Sequence, residues 1–406
     1  MIFDSESVFE ENVITVLKQH GWKDGVLRYP TERDLLDNWK GILYRNNNDI
    51  DRLGKYPLTD GEMTQIIEQI ETLRTPLALN SFVNGRTVSI TRDNKEDVAH
   101  FGKEVSLYIY DRKEIAGGKS TYQIAQQPVY PAKNKMLNSR RGDLVLLING
   151  MPLIHIELKK SGIPVSQATN QIEKYAHEGV FTGLFRLVQI FVAMNPDDAV
   201  YFANPGVDKF NPSYYFHWAD YNNEPICGGQ NPGKDEWKLF IGGTSGTAGL
   251  LSIPMAHQLI GFYTIADSAD GCLKVLRSYQ YIAANAISDV VRKCDWEQRP
   301  ATPGRPGGYV WHTTGSGKTM TSFKSAQLIA DSHDADKVVF LMDRIELGTQ
   351  SLKEYRSFAD SETEVQGTEN TGVLRDKLNS TNVNDTLIVT SIQKMSNVKT
   401  GERGVT

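Results

Sequence analysis

Apolar positions near the amino terminus recur with helical spacing. Val8, Phe9, Val13, Val16 and Leu17 gather on one face of residues 5–20, while Glu6, Glu10 and Lys18 stay off it, which predicts an amphipathic helix. Residues 61–75 read as a second helix, and 86–92 and 104–111 alternate with period two, the pattern of half-buried strands. A helix over 166–178 and a strand over 187–194 follow. Residues 220–250 break the rhythm with Asn222-Asn223, Gly228-Gly229, Asn231-Pro232-Gly233 and Gly242-Gly243. Such turn formers predict a linker or exposed loops over 221–255, dividing a domain at 1–220 from one at 256–406. Beyond it, helices near 256–266 and 273–294 precede a Pro/Gly stretch at 300–308. Strand 309–311, helix 317–330, strand 337–343, helices 345–358 and 371–379 and strand 386–391 then alternate. That order predicts an α/β domain with a parallel sheet covered on both faces.

Composition narrows the classes without choosing among them. The chain has 406 residues, of which 40% are hydrophobic and 23% charged, the profile of a globular protein rather than a disordered one. Its 44 basic and 49 acidic residues give a net charge of -5, so any contact with nucleic acid must come from local patches. Cys227, Cys272 and Cys294 show neither CxxC pairing nor zinc spacing, which favours a reducing, cytoplasmic setting. No apolar run reaches membrane-spanning length.

Two stretches carry chemistry. In the first, strands 143–148 and 151–159 flank Asn149-Gly150, a strong hairpin signal. Leu144, Leu146 and Ile148 form one apolar face of the first strand, and Ile154, Ile156 and Leu158 one face of the second. For both sets to lie on one side, paired residue numbers must sum to an even number, which predicts a three-residue loop rather than a two-residue turn. That register puts Asp143 and Glu157 side by side, with Lys159 two residues along the same face. Two carboxylates and a lysine on one sheet face can hold Mg²⁺ and position water against a phosphodiester. The competing reading is an amphipathic hairpin with a charged outer face. Against it, His155 and Glu157 interrupt an otherwise apolar strand, and Lys133, Lys135, Arg140 and Arg141 precede the hairpin, with Lys160 after it, as phosphate contacts would.

In the second, His312-Thr313-Thr314-Gly315-Ser316-Gly317-Lys318-Thr319 stands between an apolar run, Tyr309-Val310-Trp311, and a helical segment. Glycines let backbone N–H groups wrap a polyphosphate, Lys318 reaches its outer phosphates, and Thr319 offers a hydroxyl to Mg²⁺. His312 occupies a place where the standard pattern has Gly.

The hairpin resembles the core of PD-(D/E)xK nucleases of the RecB-like branch. That resemblance implies Asp143, Glu157 and the backbone carbonyl of Leu158 as metal ligands, and Lys159 as the group orienting the attacking water. It also implies a supporting glutamate on the first helix, Glu10 or Glu6, and a Gln-x-x-x-Tyr pair, matched by Gln171 and Tyr175. The second stretch resembles superfamily 2 helicases with a RecA-like fold. Gln280 of Tyr279-Gln280 then implies an adenine reader, Asp343-Arg344-Ile345-Glu346-Leu347 with Gln350 the next motif, and Thr390 and Lys394 contacts to a DNA strand. Together these resemble the restriction subunit of type I restriction-modification enzymes. The family implies an endonuclease that uses ATP to translocate double-stranded DNA, in complex with methylation and specificity subunits. Within residues 1–406 no Asp-Glu-x-His box follows the P-loop, so the chain reads as an incomplete motor that binds ATP and hydrolyses it poorly. A repair-type helicase-nuclease and a DNA-binding assembly module with inactive sites are the alternative readings.

Overall fold

In the computed structural model, residues 2–115, 117–131, 140–207, 209–229, 235–293, 307–343, 345–359 and 364–398 are described, the side chains of 345–349 excepted. Lys133, Lys135, Cys294 and Arg344, named above, lie outside them. Two compact units emerge: Met1–Ile265 with Gly271–Arg277, and Ala266–Asp270 with Ser278–Thr406.

The first unit begins with α1 (Glu6–Gln19), which starts where Ser5 accepts a hydrogen bond from the Val8 N–H and has Glu6 in its first turn and Lys18 in its last. After β1 (Val26–Arg28) come α2 (Glu32–Asn46) and α3 (Asp60–Thr72), each opened by a reciprocal capping box, Thr31 with Asp34 and Thr59 with Glu62. The helix expected over 61–75 ends at Thr72, and Pro76 opens a separate α4 (Pro76–Asn84) at a first-turn position, where its missing N–H costs nothing. The predicted strands appear as the antiparallel pair β2 (Thr87–Thr91) and β3 (Glu104–Tyr108).

A six-stranded mixed sheet forms the centre. It contains β1, β4 (Tyr122–Gln126), β5 (Leu144–Ile148), β6 (Met151–Leu158), β7 (Ile190–Met194) and β8 (Ala199–Ala203), in that spatial order. Pairs β1–β4 and β6–β7 are parallel and the rest antiparallel. Helix α5 (Val165–His177) packs on β6 and β7, and Ala168 and Ile172 join Phe191, Ala193, Val200 and Phe202 in a buried cluster. Every residue of β4 through β8 is buried, so the sheet is covered on both faces. That overturns the reading of β5–β6 as a hairpin with a solvated charged face.

The hairpin itself corrects the expected loop. Ile148 pairs with Met151 across a two-residue turn, Asn149 at φ 51° and Gly150 at φ 84°. A β-bulge then takes up one extra residue of β6, so that Leu146 pairs with Ile154 and Leu144 with Ile156. The register beyond the bulge has the predicted even sum, but the odd residue sits inside the strand rather than in the turn. Leu153 is that residue, and its carbonyl accepts from the Gln189 N–H at 2.9 Å.

The expected linker at 221–255 is not one. Within it α6 (Glu236–Gly242) packs on α1, burying Trp237, Phe240 and Ile241, and Trp237 meets the rings of Phe3 and Phe9 edge-on at 6.0 and 5.2 Å. Trp22 Nε1 donates to the Leu251 carbonyl at 2.6 Å, and Trp218 Nε1 to that of Ala248 at 2.8 Å. Buried aromatic rings outweigh the local turn chemistry that suggested exposure. Helix α7 (Met255–Gly261) also belongs to the first unit, so 256 does not begin the second. Two short strands, β9 (Thr264–Asp267) and β10 (Cys272–Val275), replace the ends of the helices expected near 256–266 and 273–294.

The second unit contains α8 (Ser278–Lys293), α9 (Lys318–Ser332), β11 (Val338–Met342), α10 (Ile345–Phe358), β12 (Val365–Gly367), α11 (Thr371–Asn379), β13 (Leu387–Ser391) and α12 (Ile392–Ser396). Its strands form the predicted parallel sheet, in the order β11, β13, β12. The strand expected at 309–311 is not formed. Tyr309 and Trp311 are 89% and 87% exposed, with no ladder partner among the described residues.

Candidate functional site

The bulged hairpin brings Asp143 and Glu157 together. The Leu158 N–H donates to Asp143 Oδ2 at 2.6 Å, and Lys159 Nζ lies 3.6 Å from Glu157 Oε1. Both glutamates considered on α1 reach this site. Glu10 is buried and accepts from Gln126 Nε2 at 2.5 Å and from Gln127 Nε2 at 3.2 and 3.3 Å, whereas the half-exposed Glu6 lies 3.7 Å from Lys159 Nζ. Gln127 has φ 48°, a left-handed backbone that turns its amide to Glu10.

Crowding of carboxylates in a dry place has the expected electrostatic result. Burial pushes Glu157 up to about 8, against the pull of Lys159. Asp143 is raised well above its ordinary value by burial and then by the neighbouring Glu157. Burial also raises Glu10, the Gln126 and Gln127 amides working the other way. Among the described residues neither buried Glu157 carboxylate oxygen has a hydrogen-bond donor, and the facing His155 Nε2 makes no hydrogen bond either. Two carboxyl oxygens without donors, beside a second carboxyl, are what a divalent cation satisfies while it draws off their protons, so the residues present fit one. Among the described residues no three His, Cys, Asp or Glu side chains gather as a metal cluster, so the set is two carboxylates and a carbonyl. That carbonyl, Leu158 O, accepts from Lys159 Nζ at 2.8 Å and keeps its second lone pair.

Gln171 and Tyr175 meet as their i, i+4 spacing predicts. Gln171 Nε2 donates to the Tyr175 hydroxyl at 2.6 Å, and that hydroxyl donates to the Arg141 carbonyl at 2.9 Å, pinning the strand lead that carries Asp143. The hairpin signals had not pointed to Tyr130, whose hydroxyl lies 2.8 Å from His155 Nδ1, nor to Gln126 and Gln127. His155 is fully buried, and burial lowers it to about 4.

The expected DNA contacts divide. Arg141 is exposed, its guanidinium 5.9 Å from the Tyr29 ring, and Lys160 is exposed. Arg140 instead forms a two-pronged pair with Glu178 at 2.8 and 2.9 Å. Thr390 is buried and accepts from Thr368 Oγ1 at 2.7 Å, while Lys394 Nζ donates to the Thr368 carbonyl. The expectation that Thr390 presents its side chain to DNA is therefore corrected: β13 is buried along its whole length.

In the second unit, Thr314, Gly315 and Ser316 form an open turn before α9, and Gly315 and Gly317 take φ 77° and 78°. Helix α9 has no side-chain cap, so its first N–H groups point into the loop. Lys318 Nζ folds back to the Thr313 carbonyl at 3.1 Å, and Ser316 Oγ donates to the same carbonyl at 2.7 Å. Thr319, the expected Mg²⁺ contact, lies in the first turn of α9. Gln280 is buried and donates to the Ser316 and Gly317 carbonyls at 3.4 and 3.3 Å, bracing the loop from α8. A Cβ on Gly317 would meet Gln280 Nε2 at 2.5 Å, so this close approach requires glycine.

A mixed α/β unit with a buried carboxylate–lysine site and a second unit with a P-loop define the class, a helicase-like ATPase joined to a candidate hydrolytic domain. Comparison with known proteins gives the family. Residues 4–210 match the type I restriction enzyme R protein N terminus, and 279–405 match the SWI2/SNF2 ATPase family. The chain is 32% identical over 404 residues to the endonuclease subunit of the type I restriction enzyme SsaAORF53P of Staphylococcus saprophyticus, covering 98% of this chain and 37% of that protein. It is 33% identical over 398 residues to the SauMSSORF170P endonuclease subunit of Staphylococcus aureus, with the same coverage. Against the EcoprrI endonuclease subunit of Escherichia coli identity is 26% over 321 residues, 76% of this chain and 90% of that one. The chain belongs to the type I restriction enzyme R protein family, and it spans about 37% of the length of the staphylococcal relatives. No described helix is long and apolar enough to cross a membrane.

Proposed function

We propose that the first unit is a PD-(D/E)xK endonuclease domain that hydrolyses DNA phosphodiesters with Mg²⁺, and that the second binds ATP as part of a RecA-like translocase. The reading rests on one observation above others: Asp143, Glu157 and Lys159 converge on one sheet face although the sheet is otherwise dry. Asp143, Glu157 and the Leu158 carbonyl would hold Mg²⁺, which when bound supplies positive charge to activate water and neutralise the phosphate. Lys159 is placed to orient the attacking water and to offset charge on the phosphoryl oxygens as water adds and one P–O ester bond breaks. Glu10 and Glu6 complete an acidic wall around it, and Gln171 with Tyr175 holds the backbone beside Asp143. Arg141 and Lys160, exposed and close in sequence to the site residues, are available to the DNA backbone.

In the second unit the Gly315–Thr319 backbone, Lys318 and Thr319 would receive the ATP phosphates with Mg²⁺, and Gln280 acts through the loop it braces. The working assembly on this reading is cytoplasmic and includes double-stranded DNA with methylation and specificity subunits. The test is cleavage by the full-length subunit in its complex. Glu157→Ala or Lys159→Ala should lower DNA cleavage at least ~100-fold while DNA-stimulated ATP turnover stays within about twofold of wild type. Cleavage persisting in both variants would sink the assignment.

A further inference from the structure

His155 stands in a place the nuclease reading does not use. It is fully buried, with the rings of Tyr130, Tyr175, Phe181 and Phe191 around it at centroid distances of 6.1, 6.4, 5.5 and 5.9 Å. Its Nδ1 is hydrogen-bonded to the Tyr130 hydroxyl at 2.8 Å, and its Nε2 lies 3.3 Å from Glu157 Oε2, an electrostatic approach with no hydrogen bond between the two atoms. A histidine in such a cage is neutral and carries one N–H, so its tautomer decides which neighbour it serves. Tyr130 is also buried, and His155 Nδ1 is the acceptor its hydroxyl has. If Nδ1 carried the proton, the Tyr130 O–H would be left buried without an acceptor among the described residues, whereas a proton on Nε2 still faces the Glu157 carboxyl. The hydroxyl therefore donates to Nδ1, and the ring proton sits on Nε2, facing Glu157.

The fold makes room for this contact. Beyond the bulge, β6 sets His155 against Val145 and Phe191 on the two flanking strands, and the period of two puts it on the face of Glu157. Gly142, one residue before Asp143, lies against the pair: a Cβ there would meet the Tyr130 hydroxyl, His155 Cε1 at 2.8 Å and Tyr130 Cε2 at 3.0 Å.

We infer that Tyr130 and His155 form a positioning relay, in which Tyr130 fixes the His155 tautomer and the Nε2–H, 3.3 Å from Glu157 Oε2 and short of a hydrogen bond in the metal-free protein, closes on that oxygen when Oε1 and Asp143 take a divalent cation. The inference rests on the nuclease reading for the cation, but the tautomer stands by itself. A partner of this kind behind a metal ligand orients it, and its loss commonly weakens metal binding by about 10–100-fold.

The experiment combines two readouts on the 406-residue chain. Nitrogen-15 NMR of labelled histidine, with His155 assigned by its loss in His155→Gln, should show Nε2 protonated in wild type, and Tyr130→Phe should disturb that state. Calorimetric titration with Mn²⁺ should show affinity lowered about tenfold in His155→Phe and His155→Asn. His155→Gln, which places an amide N–H near the Nε2 position, should stay within about threefold of wild type. A proton on Nδ1 would overturn the relay. So would Mn²⁺ affinities that follow the thermal stability of the variants, with Gln no better than Phe, because a structural role alone predicts that pattern. Failure of wild type to bind Mn²⁺ in a manner removed by Asp143→Asn would instead count against the nuclease reading, with the tautomer still deciding the relay.

Discussion

Glu157 shows how one side chain links stability to function. Its folded carboxyl titrates near 8 against an ordinary 4.5, because burial disfavours the charge. An acid raised in the folded state contributes stability that is fully present below 4.5 and is lost as pH rises through 8. Glu157→Gln should thus raise the thermal midpoint of the metal-free chain, with a gain that grows between pH 5 and 8 and levels off above, as a pH series of melting curves would show. A gain independent of pH would mean the carboxyl is already solvated. Gly142 is the second informative residue. Gly142→Ala should cost ~1–3 kcal/mol in urea unfolding and weaken Mn²⁺ binding, since the methyl displaces the Tyr130–His155 pair that abuts it. Unchanged stability and affinity would show that this packing gives way freely.

The β5–β6 hairpin is where element and site meet. Its two-residue turn needs a left-handed backbone at both positions, and its bulge restores the face that the turn alone would invert. Gly150 is doubly constrained, by φ 84° and by the Trp39 backbone, whose Cα would lie 2.9 Å from an added Cβ. Gly150→Ala should therefore destabilise the first unit by ~1–3 kcal/mol, read as a lower urea midpoint with unchanged slope. Asn149 also serves the sheet, since its Oδ1 accepts from the Thr121 N–H at 2.9 Å and fastens the turn beside β4.

At the scale of the whole chain, the two sites belong to different units and should fail separately. Lys318→Ala should abolish calorimetric ATP binding by the 406-residue chain while Mn²⁺ binding at Asp143 and Glu157 stays within about twofold, because Lys318 and the carboxylates belong to different compact units. Glu157→Ala should do the reverse. Loss of both affinities in a folded single variant would show that the sites are not independent.

Much of this was legible along the chain. The periodicity of α1, α5, β2 and β3 located those elements, because side chains on one face of a helix or strand recur at a fixed period whatever packs against them. Asp143, Glu157 and Lys159 announced themselves by their parity, and Gly315 to Thr319 by the demands of a phosphate loop. Residue chemistry also gave the pairing of Gln171 with Tyr175, four apart on one helix. Other features depend on distant partners and could be decided only by the tertiary structure. Trp237 is buried because Phe3 and Phe9 are there to receive it, so a turn-rich segment became part of a core. Thr390 is hidden by Thr368, and Arg140 is held by Glu178. The bulge at Leu153, which no local signal marks, lets a two-residue turn and an even register coexist. The relay through Tyr130 and His155 joins residues 25 apart in sequence. Local sequence determines what a segment can present on each face; which groups meet there is decided by the burial of all the others, and the site is made from that meeting.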